Sequence, residues 1–231
     1  MFANSRPVTS RQSAPHPDLE AVLTRHFGHS FQKPISAYNH AAFVRATEVW
    51  REWNPRAPLI LDAGCGVGWS TARLARAHPD CFVMGVDQSA HRLARARAQP
   101  GTLPANLVFI RANLVDFWRE LADAGITLSR HYLLYPNPWP KPAHLRRRWH
   151  AHPVFPTLLQ LGGVLECRSN WKIYIDELAL ALRYAGCHPD VRSYAPEGEY
   201  LTPFERKYSE SGQSLWVCRM SGDRRLRTED G

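Results

Sequence analysis

The chain lacks a cysteine framework. Its five cysteines (Cys65, Cys81, Cys167, Cys187 and Cys218) are odd in number and never spaced as Cys-x-x-Cys, which argues against a disulfide scaffold and against a zinc site. It also lacks any apolar run of the roughly 18 residues that a membrane span requires, and its N-terminus has no signal-peptide core. The expectation is therefore a cytoplasmic protein with no membrane and no metal. Internal repeats are absent, which excludes a solenoid. Acidic residues are in deficit, 21 against 29 lysines and arginines, so the formal net charge is +8 and the pI about 9.5. Such a balance favours a polyanionic partner, RNA, DNA or an anionic membrane, over a charge that merely keeps the protein in solution. Histidine is plentiful at 11. Yet His144, His150 and His152 fall in an arginine-rich stretch without the carboxylate or thiolate spacing of a metal set.

What is present fits one α/β domain. The 231 residues are 44% hydrophobic, enough for a sizeable core and too few for two comfortable domains. Residues 1–18, rich in Ser and Pro, read as a flexible tail. Residues 19–220 form the domain, and residues 221–231, with Arg224, Arg225 and Arg227, read as a flexible basic tail. Helical spacing of Ala41, Val44, Ala46, Val49 and Trp50 predicts a helix over 36–53. Short apolar runs predict strands over 59–61, 82–86, 107–110, 131–134, 163–167 and 214–220. Helices are predicted over 70–77, 90–98 and 173–185. Strands alternating with helices point to a doubly wound, Rossmann-like parallel sheet with helices on both faces.

The most informative stretch is Asp62-Ala63-Gly64-Cys65-Gly66-Val67-Gly68, which follows the first strand and opens a helix. Glycines there permit positive φ and let a ligand approach the backbone. Such a loop is shared by several classes of nucleotide-binding enzyme, and a plain strand-to-helix turn has the same outline. Asp87 ends the next strand about twenty residues on, where an acid accepts ribose hydroxyls of either a dinucleotide or S-adenosylmethionine. Asp62 shifts the balance. A carboxylate beside the loop suits the ammonium and sulfonium of S-adenosylmethionine and would repel a pyrophosphate.

A second segment, Tyr135-Pro136-Asn137-Pro138-Trp139-Pro140-Lys141, follows the fourth strand. Its three prolines hold the chain stiff at the carboxyl edge of the sheet, where open α/β folds bind ligands. One amide (Asn137) and one indole (Trp139) on a rigid loop suit a planar base, the amide reading an edge and the ring stacking. His144, Arg146, Arg147, Arg148, Trp149 and His150 follow, either as a phosphate-binding surface or as a solvated helix face.

These stretches, with Ser169-Asn170 and Thr202-Pro203-Phe204-Glu205-Arg206, resemble the bacterial tRNA (guanine-N7)-methyltransferases over roughly residues 30–220. In that family Pro-Asp-Pro-Trp-Pro-Lys is followed by His and paired Arg. A Gly-Gly-led strand then ends in Thr-Asp, and Thr-x-Phe/Tyr-Glu precedes Gly-Gln. Gly162-Gly163 and Gly212-Gln213 fit the frame. The resemblance implies a Rossmann-like domain that binds S-adenosylmethionine and methylates guanine N7 in tRNA. It implies that Asp62, Gly64, Gly66, Gly68, Asp87 and Asn113 hold the cofactor, with Asn113 at its adenine end. Asn137, Trp139 and Lys141 take the catalytic positions. Lys141, His144, Arg146, Arg147, Asn170, Thr202 and Glu205 face the substrate, and the protein is expected as a monomer or weak homodimer.

Three positions depart from the family: Asn113, Asn137 and Asn170 each stand where it has Asp. Pro142, Ala143 and His144 follow Lys141 in place of its Lys-Arg-His. Each Asp-to-Asn change keeps size but exchanges an anionic double acceptor for a neutral donor and acceptor. Guanine N7 already carries a lone pair, so its methylation needs no general base and depends on positioning and electrostatic support. Two other readings use the same residues. One is methylation of an exocyclic amine by an Asn-Pro-aromatic loop; the other is an RNA-binding module without catalysis.

Overall fold

The computed structural model describes residues 4–221. The chain forms α1 (Leu19–Phe27), α2 (Ala37–Trp53), β1 (Leu59–Ala63), α3 (Trp69–Ala77), β2 (Phe82–Asp87) and α4 (Ala90–Arg97). It continues through β3 (Leu107–Arg111), α5 (Leu114–Asp123), β4 (Arg130–Leu134), two 3-10 turns (Pro142–Arg147 and Trp149–Ala151), α6 (Phe155–Gln160) and β5 (Val164–Ser169). The last elements are α7 (Lys172–Tyr184), β6 (Asp190–Tyr194), α8 (Pro203–Glu210) and β7 (Leu215–Met220).

The strands make one seven-stranded sheet in the order β3-β2-β1-β4-β5-β7-β6. All the residues of β1 and β2 are buried, as expected of central strands covered on both faces. Alternation divides them. Leu59, Leu61 and Ala63 pack into the core under α2, α5, α6 and α7, while Ile60 and Val83 face Leu74 and Ala75 of α3. Helix starts are fixed by side-chain caps: Ser36 accepts from Asn39 N, Ser89 from Arg92 N, Asn113 from Val115 N and Thr202 from Glu205 N.

The wholly parallel sheet expected from the sequence needs one correction. Strands β1 to β5 are parallel, but β7 runs antiparallel between β5 and β6. The reason is the connection. Residues 195–214, with α8, stay at the carboxyl end of the sheet, so the chain can only re-enter it running backwards. Strand β6 has no signal in the sequence, because an exposed edge strand (Asp190–Tyr194) has no apolar run. Helices α1, α5, α6 and α8 are likewise not among the expected elements, although α1, α5 and α8, at eight to ten residues, are as long as the expected α3 and α4.

The flexible N-terminal tail also needs correcting. Residues 4–18 form no helix or strand before α1, yet the segment is tied down along its length. Ser5 N donates to Ser211 Oγ (3.0 Å), Ser10 Oγ to the Pro140 carbonyl (2.5 Å) and His16 N to Glu177 Oε1 (2.9 Å), while Val8 packs on the core. Side-chain anchors of this kind leave no periodic signature. The expected basic C-terminal tail lies, apart from Ser221, outside the described residues. Among the described residues no helix is long and apolar enough to cross a membrane, and no cluster of His, Cys, Asp and Glu could hold a metal ion.

One buried histidine carries a pH consequence. His131 in β4 is 1% exposed and its Nε2 accepts from Trp118 Nε1 at 3.1 Å. Burial pushes its pKa from 6.5 down to about 3. The unfolded chain thus takes up a proton below pH 6.5 that the folded chain refuses until about pH 3. This group's contribution to stability is therefore complete above the unfolded pKa and falls as pH drops through that window. Tm measured at pH 7.5 and pH 5 is expected to fall further in the wild type than in His131→Gln, which keeps an acceptor for Trp118 but cannot charge; equal falls refute the assignment.

Candidate active site

The carboxyl ends of β1 to β5 open into a single cleft of about 810 Å³. The size is within the range of small-molecule and cofactor sites, and the location is the usual one for open α/β sheets. Its floor is the turn after β1, where Gly64, Gly66 and Gly68 have φ of 82°, 57° and 74°. The three glycines serve different ends. A Cβ on Gly66 would meet nothing within 4 Å and would project into open space, while one on Gly64 would reach only Leu114 Cδ1 at 4.0 Å. Both line the cleft. A Cβ on Gly68 would sit 2.5 Å from the Phe109 ring and 2.7 Å from Ala96 Cβ. Gly68 therefore allows α3 to pack close and does not line the cleft, contrary to its expected cofactor contact.

Asp87 and Asn113 both line the cleft, at the ends of β2 and β3. Asp87 Oδ2 accepts from Gly66 N at 3.0 Å and Oδ1 from Ser89 N at 2.8 Å, so the acid also braces the glycine turn. Arg92 stands 3.7 Å from Asp87 Oδ2. Asn113 uses its Oδ1 to cap α5, accepting from Val115 N at 2.9 Å, and its own N–H donates to Asn39 Oδ1 at 3.1 Å. Asp62 is placed differently from the expectation. It is 1% exposed, does not border the cleft, and its Oδ2 accepts from Ser70 Oγ and Thr71 Oγ1, each at 2.6 Å. Burial raises its pKa to about 6 despite those two bonds. Its direct work is to fasten the start of α3 to the end of β1. The residues present nevertheless fit S-adenosylmethionine: a side-chain-free cradle at Gly64 and Gly66, an acid at the end of β2 and an amide at the end of β3.

Across the cleft, the loop after β4 is strained. Tyr135 and Trp139, with φ of 54° and 46°, are the non-glycine residues with positive φ among those described. In non-glycine residues such backbone costs about 1–3 kcal/mol and persists only where the surroundings enforce it. Asn137 is exposed at the cleft, its Oδ1 accepting from Trp139 N at 3.3 Å. The Arg147 guanidinium lies 4.7 Å from the centroid of the Trp139 ring, and the His144 ring meets the same indole edge-on. Arg146 and Arg147 line the cleft and are exposed, whereas Lys141 and His144 do not border it.

The rest of the arginine-rich run is not a surface. Arg148 and His150 are wholly buried, Arg148 donating to both oxygens of Glu177 (2.7 and 2.5 Å) and to the Trp139 carbonyl. Burial by itself would raise the Glu177 carboxyl. Hydrogen bonds from His150 and Arg148, with the guanidinium charge, outweigh it and bring the pKa down to about 2. Spacing alone could not separate the buried arginine from its exposed neighbours.

At the third side, Asn170 lines the cleft and donates through Nδ2 to Gln213 Oε1 at 2.9 Å. Thr202 caps α8 and borders a smaller adjoining hollow of about 220 Å³ with Gly64 and Gly66. Glu205, in the first turn of that helix, is buried instead, accepting from Arg168 NH1 (2.6 Å), Tyr194 Oη (2.6 Å) and Leu201 N (2.5 Å). The expected substrate contact of Glu205 is thus replaced by a structural one. Phe204, which lies in the 202–206 motif but had no expected role, and Tyr208, outside every motif, stack on each other and line the cleft, with Tyr135 packed against Tyr208. Their spacing of four on a capped helix was the available signal.

The glycines offer a direct check. Gly68→Ala is expected to destabilise the fold by about 1–3 kcal/mol through overpacking and to lower Tm. Gly66→Ala meets no neighbour and carries only the cost of positive φ, so it is expected to lower Tm less than Gly68→Ala while weakening S-adenosylmethionine binding at least tenfold by calorimetry. Equal effects of the two on Tm and affinity would contradict this division of labour.

Comparison with known proteins agrees with this geometry. The model of a family described as "Putative methyltransferase" matches residues 56–218. The tRNA (guanine-N(7)-)-methyltransferase of Pseudomonas aeruginosa (strain UCBPP-PA14) is 31% identical over 172 residues, covering 70% of this chain and 69% of the relative. That of Ectopseudomonas mendocina is 30% identical over 174 residues, covering 69% and 71%. Among solved structures, a point mutant of the 16S rRNA (adenine(1408)-N(1))-methyltransferase of Catenulisporales acidiphilia, with cosubstrate SAM, is similar in fold. Its TM-score is 0.52 at 20% identity, over 80% of this chain and 93% of that one. The antibiotic-resistance methyltransferase Kmr has a TM-score of 0.50 at 22% identity, over 75% and 91%. By extent of match and by identity, this chain belongs to the tRNA (guanine-N7)-methyltransferase family of S-adenosylmethionine-dependent enzymes.

Proposed function

We propose that this protein methylates N7 of a guanine in tRNA. The observation that carries the reading is the continuity of one cleft. It runs from Gly64, Gly66, Asp87 and Asn113 to Asn137, Trp139, Arg146 and Arg147, so a donor and a base can meet inside it. The names of the relatives supply the acceptor class, tRNA. S-adenosylmethionine, when bound, supplies a methyl group on a sulfonium. The residues of this chain orient and support; no proton has to be abstracted from guanine N7, so positioning and electrostatics carry the catalysis. Gly64 and Gly66 let the donor approach the backbone, and Asp87 offers a carboxylate to its ribose. Arg146 supplies an exposed positive charge for phosphate, while Trp139, backed on one side by Arg147, provides an aromatic surface beside the base.

Asn137 favours guanine N7 over an exocyclic amine. Its Oδ1 already accepts from Trp139 N and keeps one lone pair, whereas both N–H groups of the amide are without a hydrogen-bond partner among the described residues, so donation is its larger remaining capacity. A donor matches guanine O6, next to N7; an exocyclic NH₂ would require an acceptor there.

Purified protein incubated with labelled S-adenosylmethionine and unmodified bulk tRNA, followed by digestion and mass spectrometry, is expected to yield 7-methylguanosine. Recovery of a base methylated on an exocyclic amine, or tRNA binding without any transfer, would overturn the proposal. Arg146→Ala is expected to weaken tRNA binding and to reduce the slope of log affinity against log salt by about 1, the loss of one phosphate contact. An unchanged slope would remove Arg146 from the RNA path.

A further inference from the structure

The strained acceptor loop is held from behind by a segment that none of its motifs includes. The Trp139 carbonyl accepts from Arg148 Nε (3.3 Å) and NH2 (3.1 Å). That guanidinium is fully buried, 4.9 Å from the centroid of the Trp171 ring, and its NH1 is spent on both Glu177 oxygens. Arg has five N–H donors, and one on NH2 remains. Gln12 receives it on Oε1 at 3.0 Å and returns a bond from Nε2 to Glu177 Oε1 at 2.5 Å. His16 N reaches the same Glu177 oxygen at 2.9 Å, and Ser10 Oγ donates to the carbonyl of Pro140, the residue after Trp139. Upstream, Ser5 accepts on its carbonyl from Gln213 Nε2 (2.9 Å), and Gln213 in turn accepts from Asn170 at the cleft.

We infer that residues 5–16 form a latch that sets the conformation of the acceptor loop, with Ser10 and Gln12 as positioning residues acting through Pro140 and Arg148. The physical argument is one of satisfaction. A positive-φ tryptophan is kept only if its surroundings enforce it, and Arg148 can be that enforcer only while all its donors are met. Gln12 bridges the two members of a buried ion pair, where an unmatched donor is costly. Ser10 fixes the adjacent carbonyl from the other side of the chain. The segment touches the acceptor loop and the Asn170 side of the cleft but neither Gly64 nor Gly66, so it bears on the acceptor half of the site alone. The catalytic part of this inference rests on the methyl-transfer reading above.

The test uses the full-length chain and three single substitutions, Gln12→Ala, Gln12→Met and Ser10→Ala. Gln12→Met keeps bulk while removing both polar ends. The protein is labelled with 5-fluorotryptophan, and Trp139 is identified among the eight tryptophans through Trp139→Phe. Each substitution is expected to shift or broaden the Trp139 fluorine line and to lower kcat on tRNA about tenfold or more, since misplacing a reacting group by about 1 Å can cost about a hundredfold. Calorimetric affinity for S-adenosylmethionine stays at the wild-type value. A Trp139 line unmoved in all three variants overturns the latch, and so does a moved line with unchanged kcat. A wild-type protein that transfers no methyl group at all would refute the proposed function instead, while the fluorine line still reports on whether the segment holds the loop.

Discussion

Everything in the cleft depends on one constraint: five parallel strands, side by side, release their chains at the same edge of the sheet. The order β3-β2-β1-β4-β5 brings the turns after all five together, although they are separated by up to about a hundred residues of chain. The sheet can hold that order because its central strands are buried on both faces and their hydrogen bonds are met within the sheet. Strand β7 then reverses direction, and the reversal keeps α8 at the same edge, where Phe204 and Tyr208 close the third wall.

The two halves of the cleft are built by different means. The donor half is backbone: positive-φ glycines, an acid that accepts from the turn it faces, and a buried Asp62 that pins the following helix through two hydroxyls. Little there can move without losing the start of α3. The acceptor half is a loop in an unfavourable conformation, enforced by a buried ion pair. Buried pairs contribute little net stability when complete but are costly to break. Their value here is geometric, because Arg148 fixes the carbonyl of Trp139 and leaves the indole to Arg147 and the cleft.

This division also gives meaning to the three asparagines. Asn113 and Asn137 each spend their side-chain oxygen locally, one capping α5 and the other accepting from Trp139 N, and Asn170 spends its nitrogen on Gln213. An aspartate could make the first two bonds but not the third. With the local bonds made, Asn113 and Asn137 present a neutral donor at the points where an aspartate would present charge. The cleft is accordingly less negative on both its donor and acceptor sides than the family motif would make it, alongside an overall charge of +8.

Sequence by itself determined the class of fold, the glycine turn and the identity of most residues at the strand ends. Those features are local, because apolar runs, glycine spacing and caps are written within a few residues of where they act. Gly64, Gly66, Asp87, Asn113, Asn137, Trp139, Arg146, Arg147 and Asn170 all line the cleft. What only the tertiary structure decided was which way each polar group is spent. Gly68 and Asp62 turned inward to serve packing, Glu205 joined a buried network with Arg168, and Arg148 went into the core while its neighbours stayed outside. The N-terminal segment, unpatterned as a string, became the back support of the acceptor loop. Burial and pairing between residues far apart in the chain set these roles, and a one-dimensional pattern carries no record of such distant partners.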